Sequence, residues 1–470
     1  MERKPVLLLL FLLLGGLTLF SVPACCQLPA PEFISLDSAA PVLDGTREIL
    51  PAELKHSDGK LSREDWDRWV RAQDTAVRHR LETGEEDTLT NLLRFGVTFT
   101  KEYRIDREYL TAYGHSSLVD SFAGNRANDL IRALASPATK NEGLLQERVL
   151  LEKKGFSFNT PQERARLKKY LLENLARMRD EFAAYREKLK TAGTAEESQM
   201  YADRGISLDT NLWPDYALDR TFREMLESGK LKPGSIRRIA IVGPGLDFAN
   251  KENGNDFYPP QTIQPFAVID SLTRLGLSNT ATLEMFTLDI SQSVNVHLQR
   301  ARRNASQGKA YGVQLPWNSS VPFSQEYLAS FTQYWKRLGD QIGVPAKPVA
   351  VPEALAQEVN IRAVSIRPQV VERITPIDVN IVFQRLPISN PEQQFDLIIG
   401  TNIFIYYDAF EQSLARANVA AMLRPGGYLL TNNLLADKVA SKLIPAQTTT
   451  IIVSAEPLIK EQVFCYERER

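Results

Sequence analysis

From about Ile236 onward, apolar runs of strand length alternate with stretches of helical period, and this alternation constrains the fold more than any other feature. The strand-like runs fall at 239–242, 283–288, 395–400 and 428–431, and the helical patterns at 261–275, 293–304 and 409–423. Strands joined through helices run parallel and carry helices on both faces of one sheet, so the class is α/β with a doubly wound sheet. The tail, 449–453 and 463–466 around Pro457, reads as a closing hairpin. The stretch from about 305 to 374 is too long for a crossover loop and is read as an insertion.

Residues 61–200 have a different character and are expected to form a helical domain. Ser62-Arg-Glu-Asp65 has the form of a capping box, with Trp66 and Trp69 on one face of the helix it opens. Pro161 starts a charged amphipathic stretch, 163–189, with Leu167, Leu171, Leu175 and Met178 at helical spacing. The charge runs on these helices read as solvated faces. Residues 27–60, rich in Pro, Ser and Asp with no sustained period, read as a linker. Asp58 to Asp65 superficially suggests a calcium loop, but Leu54 and His56 stand where the first ligands should be. The four histidines have no close spacing, so no metal site is expected.

Residues 1–26 place Arg3 and Lys4 before an apolar run, 6–24, which reads as a signal peptide or membrane anchor. Val22-Pro-Ala-Cys25 also has the form of a lipoprotein box, and 19 apolar residues just reach the length of a membrane span. Cleaved signal, lipoprotein and uncleaved anchor all stay open. Each makes the chain exported or membrane-anchored with its body on the extracytoplasmic side, and the lipoprotein or the uncleaved anchor attaches it to the membrane through its N-terminus. Lys+Arg of 56 against Asp+Glu of 57 leaves a net charge of -1, so a nucleic-acid partner is not expected. Three cysteines cannot build a disulfide scaffold.

Arg238-Ile-Ala-Ile-Val-Gly-Pro-Gly-Leu-Asp247 is an apolar strand entering a glycine turn. Gly243 and Gly245 let the backbone approach a ligand at the carboxyl end of the first strand, where open α/β sheets bind ligands; Gly-Pro-Gly also serves as a plain turn. The second strand ends in Asp289-Ile290, and a carboxylate there can accept hydrogen bonds from a ribose diol or cap the helix that follows. Then come Phe395-Asp-Leu-Ile-Ile-Gly-Thr-Asn402-Ile-Phe-Ile-Tyr-Tyr407 and, after a helix, Leu423-Arg-Pro-Gly-Gly-Tyr428.

These last motifs resemble the fourth and fifth strands of class I S-adenosylmethionine-dependent methyltransferases, closest to the chemotaxis-receptor glutamate methyltransferase group. The resemblance covers about 236–466, roughly half the chain. It implies that 201–470 form a Rossmann-like methyltransferase domain with S-adenosylmethionine as cofactor, held by Gly243, Gly245, Asp247, Asp289 and Ile290. Asn402, Tyr406 and Tyr407 would line the transfer site, or simply pack at the strand exit. The methyl acceptor is left unidentified. The sequence departs from the family's pattern in three places. Ile241 stands where an acid is usual, two before the first glycine, and Asp247 replaces the third glycine. Asp289 lies 46 residues past Gly243, where about 20 is usual for a nucleotide fingerprint. The polar loop 248–260 holds the extra length, as a lid, as a replacement for the missing contacts, or as the mark of a decayed pocket.

Methyl transfer asks for a nucleophile in line with the departing sulfur in a site that excludes water. No dedicated base stands out. The aromatic residues Phe323, Tyr327, Phe331, Tyr334 and Trp335 fall on one helical face, a docking face or one wall of a substrate pocket, with Trp213-Pro-Asp-Tyr216 as the other wall. Two functional classes remain: methyl transfer, or a non-catalytic binding or scaffold protein that retains the fold. A nicotinamide-dependent oxidoreductase is disfavoured by Phe248 at the sixth position of the glycine turn.

Overall fold

The computed structural model describes residues 28–55, 61–106, 117–191, 205–207, 212–247, 256–318, 323–436, 442–455 and 458–470. The signal or anchor segment, the start of the calcium-like stretch and most of the polar loop (248–255) lie outside these residues.

The main sheet has seven strands: β2 (Arg238–Val242), β3 (Glu284–Asp289), β7 (Ile374–Asp378), β9 (Phe395–Gly400), β10 (Leu423–Thr431), β11 (Leu443–Ser454) and β12 (Ile459–Arg468). Their spatial order is β11-β12-β10-β9-β2-β3-β7. The block β10-β9-β2-β3-β7 is parallel, while β12 runs antiparallel to both β10 and β11. The chain therefore builds outward from β2 to β3 and β7, then returns to the other side of β2 for β9 and β10. That reversal between β2 and β9 is the topological switch point of a doubly wound sheet. The antiparallel hairpin closes the sheet beyond β10. This is a doubly wound, Rossmann-like sheet, the class expected from the sequence. Every residue of β2 and β9 is buried, which explains their unbroken apolar character.

Helices α6 (Leu212–Glu227), α7 (Gln264–Arg274), α8 (Gln292–Ser306) and α10 (Ala409–Met422) are among those beside the strands. A full capping box opens α10, in which Asp408 accepts the Glu411 N–H and Glu411 accepts the Asp408 N–H. The insertion forms a small antiparallel sheet, β4 (Tyr311–Asn318), β6 (Val359–Ile366) and β5 (Gly343–Ala346), with helix α9 (Gln325–Arg337) beside it.

The segment read as a linker is structured instead. Residues 28–55 carry β1 (Glu32–Phe33), paired with β8 (Gln384–Arg385), and α1 (Leu36–Gly45), which packs near α10. Pro41 inside α1 and the Ser/Asp content conceal this helix from a reading by period, yet Ala39 and Val42 are fully buried.

The helical domain consists of α2 (Arg63–Phe95), α3 (Ser117–Ala135), α4 (Glu142–Lys153) and α5 (Pro161–Thr191). Ser62 caps α2 by accepting the Asp65 N–H, and Leu167, Leu171, Leu175 and Met178 are buried along α5. The boundary with the sheet domain runs through α2 itself. Its first half gives Trp66, Trp69, Val70, Val77 and Leu81 to the core around the sheet, and its second half gives Leu89, Leu92 and Leu93 to the helical core. Trp69 packs edge-on against Phe383 and Phe410, at 5.8 and 5.7 Å between ring centroids. Asp256 adds a second tie, accepting the Val97 and Thr98 N–H groups at 2.9 and 3.1 Å.

Candidate functional site

The crevice beyond the carboxyl ends of β2, β3 and β9 is where this topology presents a ligand site. After β2, the chain turns at Gly243 and Gly245 with φ of 61° and 73°, a region L side chains rarely adopt. After β3, Asp289 is buried and its Oδ1 accepts the Ser291 N–H at 2.7 Å; among the described residues its other oxygen has no hydrogen-bond partner. The cap of α8 is Ser291, not Asp289: its hydroxyl accepts the Val294 N–H. Asp378, at the end of β7, pairs in register with Asp289, so two carboxylates stand side by side at adjacent strand ends. Burial pushes the Asp289 carboxyl up to about 7, opposed by the Ser291 hydrogen bond and reinforced by Asp378.

Gly243, Gly245, Asp289, Ile290, Tyr406 and Tyr407 line one cavity there. The two other sequence-derived residues lie outside its lining. Asp247 turns toward the insertion side, where it accepts the Tyr258 hydroxyl at 2.8 Å and the Gln261 amide at 3.2 Å. Asn402 is exposed at φ 58°, a conformation asparagine tolerates, and is clasped to Asn432: its N–H donates to Asn432 Oδ1 at 2.7 Å. Tyr407 is buried, which raises its hydroxyl above the usual range, while Tyr406 is half-buried.

The opposite side of the cavity comes from outside the sheet domain, and sequence reading missed it. Leu81 of α2 and Ile206 and Ser207 of a short strap line it. Arg78, one turn before Leu81, reaches Asp378 at 2.8 Å and the Ile290 carbonyl at 3.4 Å. Arg80 donates to the Tyr406 carbonyl at 2.8 Å. The remaining space is about 40 Å³. That admits a few waters, whereas sites for cofactor-sized ligands run to several hundred Å³. The terminal aspartate of β7 was the one signal that could have drawn attention to Asp378. Nothing local marks Arg78.

The two aromatic stretches are packed on each other. Tyr216 of α6 lies 5.6, 5.6 and 5.4 Å from the rings of Tyr327, Phe331 and Tyr334. The face on α9 is therefore a docking face. Among the described residues, no cluster of His, Cys, Asp and Glu could hold a metal, and no helix is long and apolar enough to cross a membrane.

No family model matches the chain, and no curated protein matches it. Solved structures give distant likenesses. TrmN from Thermus thermophilus is 14% identical over 54% of this chain, at a TM-score of 0.26, and the chain spans 52% of that protein's length. Magnesium protoporphyrin IX methyltransferase from Synechocystis, with bound SAM, is 10% identical over 62% of this chain and 97% of its own, at 0.25. A TehB-like SAM-dependent methyltransferase from Corynebacterium glutamicum is 10% identical over 55% of this chain and 100% of its own, at 0.22. With scores this low, the fold rests on the strand order.

Proposed function

We propose that this chain binds S-adenosylmethionine at the switch-point crevice and transfers its methyl group to an acceptor whose class is open. One observation carries the reading: the half-satisfied Asp289 carboxylate at the end of the second strand faces the same cavity as the Gly243–Gly245 turn. The residues fit such a cofactor chemically. Asp289 can accept from a ribose diol, and the positive φ of Gly243 and Gly245 turns the backbone along the cavity that Ile403 also lines. When bound, the cofactor supplies a methyl group on a positively charged sulfur. The chain's own part is to orient and enclose: Asp289 holds, Tyr406 and Tyr407 wall the site, and the apolar lining of Leu81, Ile206 and Ile403 excludes water.

Calorimetric titration of the full chain with S-adenosylmethionine and S-adenosylhomocysteine tests this. One site per chain is expected, and Asp289→Ala should weaken it by about 1.5–3 kcal/mol, as for a hydrogen bond to a charged group. Unchanged affinity in a folded Asp289→Ala protein would remove Asp289 from the site.

A second reading, a non-catalytic scaffold that retains the fold, draws on the cavity volume of about 40 Å³ and on Ile241 in place of an acid. Absence of binding in that titration selects it. The proposal also extends to location, with the body exported or anchored on the extracytoplasmic side through residues 1–26. An alkaline phosphatase fusion after Arg470 should then be active, since the reporter forms its disulfides only in an oxidising compartment; an intact, inactive fusion would place the body in the cytosol.

A further inference from the structure

Three described residues, Gly205, Ile206 and Ser207, form a strap that crosses α2 directly over the crevice. The crossing is backbone on backbone. A Cβ on Gly84 would lie 1.8 Å from the Ile206 carbonyl oxygen, and one on Gly205 would lie 2.7 Å from the Gly84 nitrogen. Only a pair of glycines permits so close an approach. The Ile206 N–H donates to the Arg80 carbonyl at 3.2 Å, and the Ser207 N–H to the Tyr406 hydroxyl at 3.3 Å. Ile206 and Leu81 are both buried, and both line the cavity opposite Gly243, Gly245 and Asp289. Arg78 fastens the same turn of α2 to Asp378 and to the Ile290 carbonyl. The first half of α2 cannot readily leave, because Trp66 and Trp69 are built into the sheet core. Among the described residues, the strap meets α2 and Tyr406 through the Ile206 and Ser207 amides and through the buried Ile206 side chain.

We propose that this strap is an autoinhibitory plug: Ile206, seated beside Leu81, takes the volume a bound cofactor needs, so that cofactor binding and strap docking exclude each other. The inference rests on the cofactor reading above and adds its regulation. In a two-state protein the apparent dissociation constant is the intrinsic one divided by the fraction of molecules in the competent state. Weakening the closed state must therefore tighten binding, the opposite of what removing an ordinary lining contact does. Linkage also requires that the cofactor loosen the strap by the factor by which the strap weakens the cofactor.

The test titrates S-adenosylhomocysteine into the full-length wild type, Ile206→Ala and Gly84→Ala, with a thermal melt of each to show that it folds. Ile206→Ala should bind about tenfold tighter or more, and Gly84→Ala should shift the same way. If Gly84→Ala fails to fold, Ile206→Val replaces it, with a smaller tightening. Binding by a folded Ile206→Ala only, with none by the wild type, supports the plug most strongly. Equal or weaker binding in folded variants, with the wild type still binding, overturns the plug and leaves the cofactor reading standing. No binding by any folded protein overturns both.

Discussion

Replacing Gly243 by alanine probes the crevice floor with two separable costs. The residue sits at φ 61°, where an L side chain costs about 1–2 kcal/mol. Its new Cβ would also lie 2.1 Å from Ile403 Cδ1 and 2.9 Å from Cγ1, so Ile403 must turn away. Ile403 belongs to the cavity lining and packs on the core, and an off-rotamer displacement there adds about 1 kcal/mol. The sum, about 2–3 kcal/mol, should lower the melting temperature by about 4–6 °C, at roughly 2 °C per kcal/mol for a domain of this size. The double variant Gly243→Ala/Ile403→Ala removes the steric share and leaves the φ cost. The two changes should therefore couple favourably, by about 1 kcal/mol in a double-mutant cycle of urea unfolding. Strict additivity would mean that Ile403 does not lie over Gly243, and a neutral Gly243→Ala would refute the turn geometry itself.

Other expectations concern acid–base behaviour and the domain junction. Burial pushes Asp215, Asp289, Glu411 and Glu461 up to about 7 and Asp270 to about 6. The folded protein therefore keeps protons that the unfolded chain releases from about pH 4 upward, and these groups make stability fall as pH rises toward 7. Melts across that range should show Asp215→Asn with a shallower decline than wild type; an identical slope would remove Asp215 from the set. Cofactor binding that uses the Asp289 carboxylate should likewise release a proton below about pH 7, seen as a buffer-dependent heat of titration. Trp69→Ala should cost about 3–5 kcal/mol in urea unfolding, because its ring joins α2 to Phe383 and Phe410. A loss under 1 kcal/mol would mean that α2 is only loosely docked.

The sheet was legible because its strands are buried on both faces, so apolar runs such as 239–242 and 395–400 stand out against the amphipathic helices between them. Around the crevice, Gly243, Gly245 and Asp289 could be placed from the sequence, since they follow the first and second strands directly, although the same residues also serve as a plain turn or a helix cap. What covers the crevice was not legible. Arg78 and Asp378 are 300 residues apart, and nothing near either names its partner. Trp66 and Trp69 on one helical face show which side of the start of α2 is buried, but not that Trp69 and Leu92 enter different cores. Asp247 is likewise decided by distant Tyr258 and Gln261, which draw it away from the cavity. The aromatic face of α9 was visible as a face, but whether it met a ligand or Tyr216 depended on where α6 lay.

On the proposal above, one crevice holds the cofactor and is closed by the chain's own strap and helix. Hydrogen–deuterium exchange of the full-length protein, with and without saturating S-adenosylhomocysteine, addresses both halves at once. Exchange should slow at Gly245 and Leu246 and around Ile290, and quicken at the Ile206 and Ser207 amides, which lose their acceptors on Arg80 and Tyr406. Protection of Ile206 and Ser207 along with the glycine turn, or no change at any of these amides, would contradict the proposal.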